Sequence, residues 1–233
     1  MIEIFIKSIK DLFDKKILLT SLIPIIIAAF FWGVVFFVFH TQIHNFILFI
    51  ISHIPFIGTN NFIANLVEAI GGILLYYELL IITSVMIAGI IADKIVERIN
   101  EKYYHLKTNG FGRFIGSVVV SLKYNIIFII LFIIALPLMF VPGLNMLVHL
   151  ILWVILIKEP LFYDSLAMIA DKKEYFTIKK RYKFSILVLS FILAALFLIP
   201  LFGVFVYIIQ LILFTHFNLN KLKEIRNESA SAY

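Results

Sequence analysis

The stretch "ALPLMFVPGLNMLV", residues 135–148, decides how this chain is read. Pro137, Pro142 and Gly143 are the punctuation of a turn. Yet the stretch carries no charge, and Asn145 is its one polar side chain. Turns normally run over the wet surface and carry polar residues. Apolar sequence continues on both sides, and charges stand only at its base: Lys123 before it, Lys158 and Glu159 after it. At 1.5 Å per residue the arms 124–140 and 144–157 extend roughly 25 Å and 21 Å. Both fall short of a ~30 Å hydrocarbon core. A full crossing would place a polar or aromatic-anchored loop on the far side, and this turn offers Pro, Gly, Leu and Phe. The segment 124–157 therefore reads as a re-entrant, hemi-penetrating helical hairpin. Such backbone is tolerated only where protein or a wet cavity surrounds it, because lipid cannot satisfy its polar groups. The competing reading is an ordinary pair of short helices in a thin membrane.

The design recurs downstream. "FSILVLSFILAALFLIP" starts at Phe184, "LFG" turns at 201–203, and "VFVYIIQLILFTHF" returns to Phe217, with Lys183 before and Lys221 and Lys223 after. Pro142 and Pro200 hold equivalent places, so 184–217 reads as a second hairpin and a degenerate internal repeat of the first.

Composition agrees with a membrane protein. Of 233 residues, 63% are hydrophobic and 15% charged, and mean hydropathy is +1.07. Soluble domains are about 45–50% apolar and about 25% charged. A single membrane domain suits the length. Cysteine is absent, which removes disulfides, thiol catalysis and Cys-based metal sites. A net charge of +6 would suggest nucleic acid in a soluble chain, but here the charges fall at membrane flanks. All twenty lysines and arginines lie in four clusters: Lys7–Lys16, Lys94–Lys123, Lys158–Lys183 and Lys221–Arg226. Basic flanks stay on the cytoplasmic side, so both termini and all four clusters are expected inside, and no nucleic-acid partner is expected.

Two longer apolar runs precede the hairpins. The opening residues 1–16 place Ile2, Phe5, Ile6, Ile9, Leu12 and Phe13 at helical spacing with charges opposite, the pattern of an amphipathic helix lying in the interface. Residues 17–39 form an uncharged run of roughly 35 Å as a helix, enough to span. Pro24 is a candidate kink, and Ala29 with Gly33 is a small-residue pair that would admit a neighbouring helix. Residues 40–61 hold His40, His44, His53, Pro55 and Gly58 without formal charge and read as an outer segment partly sunk in the interface. His40 and His44 are spaced i, i+4, but no third ligand accompanies them, so no metal is expected. The second span, 67–92, ends in "DKIVERINEKYYHLK" at the cytoplasmic side, and 218–233 reads as a cytoplasmic tail. The expected fold is thus all-α: two long transmembrane helices, two re-entrant hairpins and an N-terminal amphipathic helix.

The proline-bearing first span, the charged segment after the second, "VPGLN", "KEPLFYDSLA" and the closing "IPLFGVFVYIIQLILFTHF" together resemble the CysZ-like sulfate permease family, which includes the eukaryotic etoposide-induced membrane proteins. The likeness covers nearly the whole chain. It implies a bacterial inner-membrane permease that brings sulfate in for cysteine synthesis and assembles as dimers or larger oligomers. One departure concerns the substrate. Family permeases share a Gly-Leu-Arg stretch before the first span, at the sulfate site. Here that neighbourhood reads "DKKILLTSLIP", residues 14–24, with neither Gly nor Arg.

An oxyanion needs oriented N–H donors, hydroxyls and positive charge. A helix N-terminus supplies amides and a favourable dipole, and Lys15, Lys16, Thr20 and Ser21 surround one. These four are the candidate anion-binding residues, with interfacial anchoring as the alternative role for the lysines. Glu78 lies deep in the second span, where an ionisable residue is a functional candidate by default, as a proton carrier or a hydrogen-bond donor. His149 and His216, each on a returning arm, are candidates to line a polar cavity. No nucleophile–base pairing, phosphate loop or cofactor motif stands out, so an enzyme is not expected. The rival to a permease is a protein that inserts hairpins to shape membranes or scaffold partners, without transport.

Overall fold

The computed structural model describes residues 2–52, 61–112, 114–139, 141, 143–198 and 203–231. Pro142 and Pro200 at the two tips, and His53, Pro55, Gly58 and Asn60 of the outer segment, lie outside the described residues. Among the described residues there is no strand. In chain order the helices are α1 (Ile2–Leu12), α2 (Lys15–Val38), α3 (His40–Ser52) and α4 (Asn61–Ile99). After a π-helical turn at Asn100–Tyr104 come α5 (Phe114–Met139), α6 (Leu144–Leu166), α7 (Lys172–Arg181), α8 (Lys183–Ala195) and α9 (Gly203–Ser231). A 3-10 turn, Leu196–Leu198, ends α8. Among the described residues four segments are long and apolar enough to cross a membrane: α2, Glu68–Gly89 of α4, Ile115–Met139 of α5 and the whole of α6.

The helices outrun the apolar runs. The arms of the first hairpin, expected to stop at Lys123 and Lys158, belong to helices of 26 and 23 residues, roughly 39 Å and 35 Å long. Lys and Glu are good helix formers, so charges that bound the apolar segment do not end the helix. Helix length therefore no longer argues that this segment is re-entrant. The second hairpin differs. Lys183–Leu198 extends roughly 24 Å and is bent by 76° from α7. Lys172, Lys173, Glu174, Lys179, Lys180 and Arg181 cannot continue it into hydrocarbon. A capping box between Asp171 and Glu174 starts α7 as a separate helix.

Two further expectations change. Residues 40–52, read as an outer loop, form α3, because Ile43, Ile47 and Ile50 recur at helical spacing. Residues 218–231, read as a tail, continue α9. Arg226 holds them by donating to Glu174 and to the carbonyls of Lys107 and Ile169.

The chain forms two compact units: residues 24–84, and residues 1–23 with 85–233. In the first, the Trp32 indole donates to Thr83 at 2.8 Å and the Tyr76 hydroxyl to the Ala29 carbonyl at 3.1 Å. Ile47 of α3 sits over Gly71 and Gly72, where added Cβ atoms would lie 3.6 and 3.7 Å from its methyls. Of the Ala29–Gly33 pair, Ala29 meets Tyr76 of α4, while among the described residues nothing lies within 4 Å of a Cβ built at Gly33.

In the second unit α9 is the central element, packed against α1, α6, α7, the π-turn and the 3-10 turn. Val206, Tyr207, Gln210, Leu211, Ile212, Phe214 and Thr215 are all buried, so the helix is enclosed on every side. Helix α1 also docks here, but its apolar stripe faces outward. Ser8 and Asp11 are buried, while Phe5, Ile6, Ile9 and Phe13 are exposed. The polar face is the one inserted into the protein, because α9 and the π-turn present His216, Lys102 and Tyr103 to it.

Candidate anion-binding site

Helix α2 begins with Asp14 as its N-cap. The Asp14 carbonyl accepts from Leu18 N–H at 2.9 Å, and its Oδ1 accepts from the amides of Lys16 and Ile17 at 3.0 and 3.4 Å. Beside this first turn lies a cavity of about 240 Å³ lined by Lys16 and Thr20 of α2 and by Lys94, Glu97, Arg98 and Glu101 beyond. Positions 94, 98 and 101 follow the i, i+4, i+7 rule, so α4 and its π-turn present one face to it. At roughly 30 Å³ per water the volume holds an oxyanion with several waters. Three cations and two carboxylates line it.

Arg98 reaches Asp14 Oδ2 with Nε at 3.2 Å and Nη2 at 2.8 Å. This guanidinium holds the Asp14 carboxyl below the usual carboxylate range. Next to Lys94 in the chain, burial pushes the Asp93 carboxyl up, and the charge of Glu97 adds to it.

Of the four residues expected from sequence, two line the cavity. Lys16 and Thr20 do so; Lys15 is exposed and is not among the lining residues. Ser21 is buried and donates to the Ile17 carbonyl of its own helix, which uses its hydroxyl proton. Nor are the first amides of α2 open as expected, since the Asp14 carboxylate accepts from two of them. Lys94 and Arg98 were missed as site residues. They stood in the quoted segment 93–107, but only packing brings that face to α2.

The remaining candidates lie elsewhere. Glu78 is 8% exposed and belongs to the unit 24–84. His149 is half-buried, 3.3 Å from the Asn145 carbonyl, with its ring against Phe132 and Trp153. His216 lines neither the cavity beside α2 nor that of the unit 24–84. It is fully buried and donates from Nε2 to Asp11 Oδ2 at 2.9 Å, while the Tyr104 hydroxyl lies 3.0 Å from its Nδ1. Asp11 also accepts from Lys102 at 2.7 Å and Tyr103 at 2.9 Å. Burial pushes the Asp11 carboxyl up, but the hydrogen bonds from His216, Lys102 and Tyr103 outweigh it and hold the group below the ordinary range.

A second buried carboxylate escaped the sequence reading as well. Asp164 accepts from Ser117 and from Tyr207, the latter at 3.2 Å. Its one sequence signal is its place in "KEPLFYDSLA". A separate cavity of about 500 Å³ in the unit 24–84 is lined by His40, His44, Glu68 and Tyr76 among apolar residues. There His44 Nδ1 bonds Glu68. Among the described residues no three His, Cys, Asp or Glu side chains are grouped to hold a metal ion.

The family model described as "Sulfate transporter CysZ/Etoposide-induced protein 2.4" matches residues 4–207. No curated protein and no solved structure matches the chain. The matched range contains α2, the segment 94–101 and the whole lining of the basic cavity. An all-helical chain with four segments able to cross a membrane, matched over most of its length, belongs to the CysZ/etoposide-induced protein family of membrane transporters.

Proposed function

We propose that the protein is a permease for sulfate or a related small oxyanion in the bacterial inner membrane, working as a homo-oligomer and supplying sulfur for cysteine synthesis. One observation carries the reading: Lys16, Thr20, Lys94 and Arg98 converge on a cavity at the start of the first span, in a chain of a sulfate-transporter family. Arg98 and Lys94 stand in for the positive charge that the family's Gly-Leu-Arg stretch would bring, and Lys16 and Thr20 add an ammonium and a hydroxyl. The test is uptake of radiolabelled sulfate into vesicles holding the purified protein. A charge-assisted hydrogen bond is worth about 1.5–3 kcal/mol, and 1.4 kcal/mol is tenfold. The double variant Lys94→Gln, Arg98→Gln is therefore expected to weaken sulfate affinity at least about tenfold. Unchanged affinity in a folded double variant would remove these residues from the site.

The proposed topology keeps both termini inside, with 124–157 and 184–217 as re-entrant hairpins. The supports are the uncharged first turn and the short, sharply bent Lys183–Leu198 arm. Because cysteine is absent, a single cysteine at Leu144 reports cleanly. An impermeant thiol reagent applied outside is expected not to reach it; rapid labelling would mean a full crossing. A second reading, membrane shaping without transport, draws on the outward Phe5, Ile6 and Ile9 of α1 and on Phe13 just after it. Vesicles that bend or tubulate but carry no sulfate would favour it.

A further inference from the structure

Helix α7 carries two kinds of cation. Lys179 is tied to Glu159 at 2.6 Å, and Arg181 to Glu228 at 2.6 Å. Lys172, Lys173 and Lys180, with Lys183 at the start of α8, are exposed, and among the described residues no carboxylate pairs with them. Positions 172, 176 and 180 recur at i, i+4 and i+8, so Phe176 stands in the middle of this face. Its side chain is 54% exposed, and Phe184, next to Lys183, is 77% exposed. The opposite face of α7 is the buried one, through Tyr175 and Ile178. The described part of the protein thus supplies neither a counter-charge for these lysines nor full cover for the two rings.

We propose that this face of α7, with Lys183 and Phe184, is a binding surface for anionic phospholipid headgroups of the cytoplasmic leaflet. The bend between α7 and the α8 arm is 76°. Where Lys183–Leu198 enters the bilayer, α7 therefore turns to run along its surface. Lysine stems lie along apolar surface and carry their ammonium groups up to the headgroups. Lysines beside aromatic rings are the side chains with which a helix lying in the interface holds it. Lipid phosphate supplies the missing counter-charge, and the acyl boundary takes Phe176 and Phe184. A soluble acidic partner would satisfy the lysines but would give no reason for two exposed rings beside the point where the chain enters hydrocarbon. The inference rests on that entry and holds whichever ion the protein carries.

The test uses the full chain in vesicles of phosphatidylcholine with a minor share of phosphatidylglycerol. Because cysteine is absent, a single cysteine at Thr177, on the same face, can carry a fluorophore that brominated acyl chains quench on contact. Bromine is placed on one lipid or on the other. The two quenchings, normalised to composition, give the affinity of this face for anionic relative to neutral lipid. With the native lysines the ratio is expected to be about fivefold or more, the worth of a single lysine near an anionic surface. It should fall toward one in molar salt, where screening is nearly complete. The variant Lys172→Gln, Lys173→Gln, Lys180→Gln, Lys183→Gln should bring it to about one with thermal unfolding unchanged, because these side chains are exposed and glutamine is as good a helix former as lysine. Phe176→Ala should lower both quenchings and leave the ratio. A ratio near one with the native lysines, or one that survives their replacement, overturns the proposal. Quenching by neither lipid also overturns it, and leaves the face to a soluble partner.

Discussion

Replacing Gly110 by alanine is expected to cost about 3 kcal/mol or more, the upper end for overpacking a fixed site. A Cβ at this position would lie 1.8 Å from the Met168 carbonyl oxygen, 2.2 Å from its carbon and 2.6 Å from the Ala167 oxygen. All three are backbone atoms, so no side chain can swing away. The two backbones are tied together by Asn109 N–H to Ile169 at 3.0 Å and Gly112 N–H to Ala167 at 2.9 Å. Arg226 clamps the same place, donating to the Lys107 and Ile169 carbonyls. Relief would need the 105–112 connector to detach. Thermal unfolding of the purified variant in detergent should fall by several degrees relative to wild type. Gly33→Ala is the control: nothing lies within 4 Å of its Cβ, and Ala is about 1 kcal/mol better than Gly inside a helix. A Gly110→Ala protein as stable as the Gly33→Ala one would refute the close approach.

Removing the Asp11 carboxylate is expected to release α1. The group is fully buried and accepts from Lys102, Tyr103 and His216. Asp11→Ala leaves these donors facing an empty position, and breaking a buried charged network of this kind costs about 3–5 kcal/mol. Limited trypsin digestion at Lys7 and Lys10 should be faster in the variant, with the rest of the chain intact. The pH dependence has a definite sign. Because the folded pKa lies below the ordinary value of 3.8, the contribution is present in full above that value. It is lost as pH falls through the lower, folded value. Protection of α1 should thus be level through the neutral and mildly acid range and fall only below about pH 4. Protection lost near pH 6 would point to a different group. Equal digestion of variant and wild type would mean that α1 is held by something other than this carboxylate.

Much of the architecture was legible because its causes are local. Long uncharged runs such as 17–39 must satisfy their backbone within a helix, and charge clusters such as Lys172–Lys183 cannot enter hydrocarbon. Those facts need only neighbours in sequence. Helix ends were less legible: Lys123 and Lys158 end an apolar run without ending a helix, because helical backbone does not distinguish charged from apolar side chains as membrane does. The amphipathic pattern of 1–16 was visible, but not which face it would bury. Ser8 and Asp11 point inward since α9 supplies His216, 205 positions away in the chain, as a partner.

For the site, sequence determined that lysines and hydroxyls would gather at the start of the first span. Tertiary structure decided the rest. It turned Ser21 onto its own helix, brought Lys94 and Arg98 to Lys16 and Thr20, and set Asp14 between them. Sequence spacing specifies which residues share a helix face. Which faces meet depends on tertiary packing, where a single polar partner such as Arg98 can be 84 positions from the carboxylate it holds.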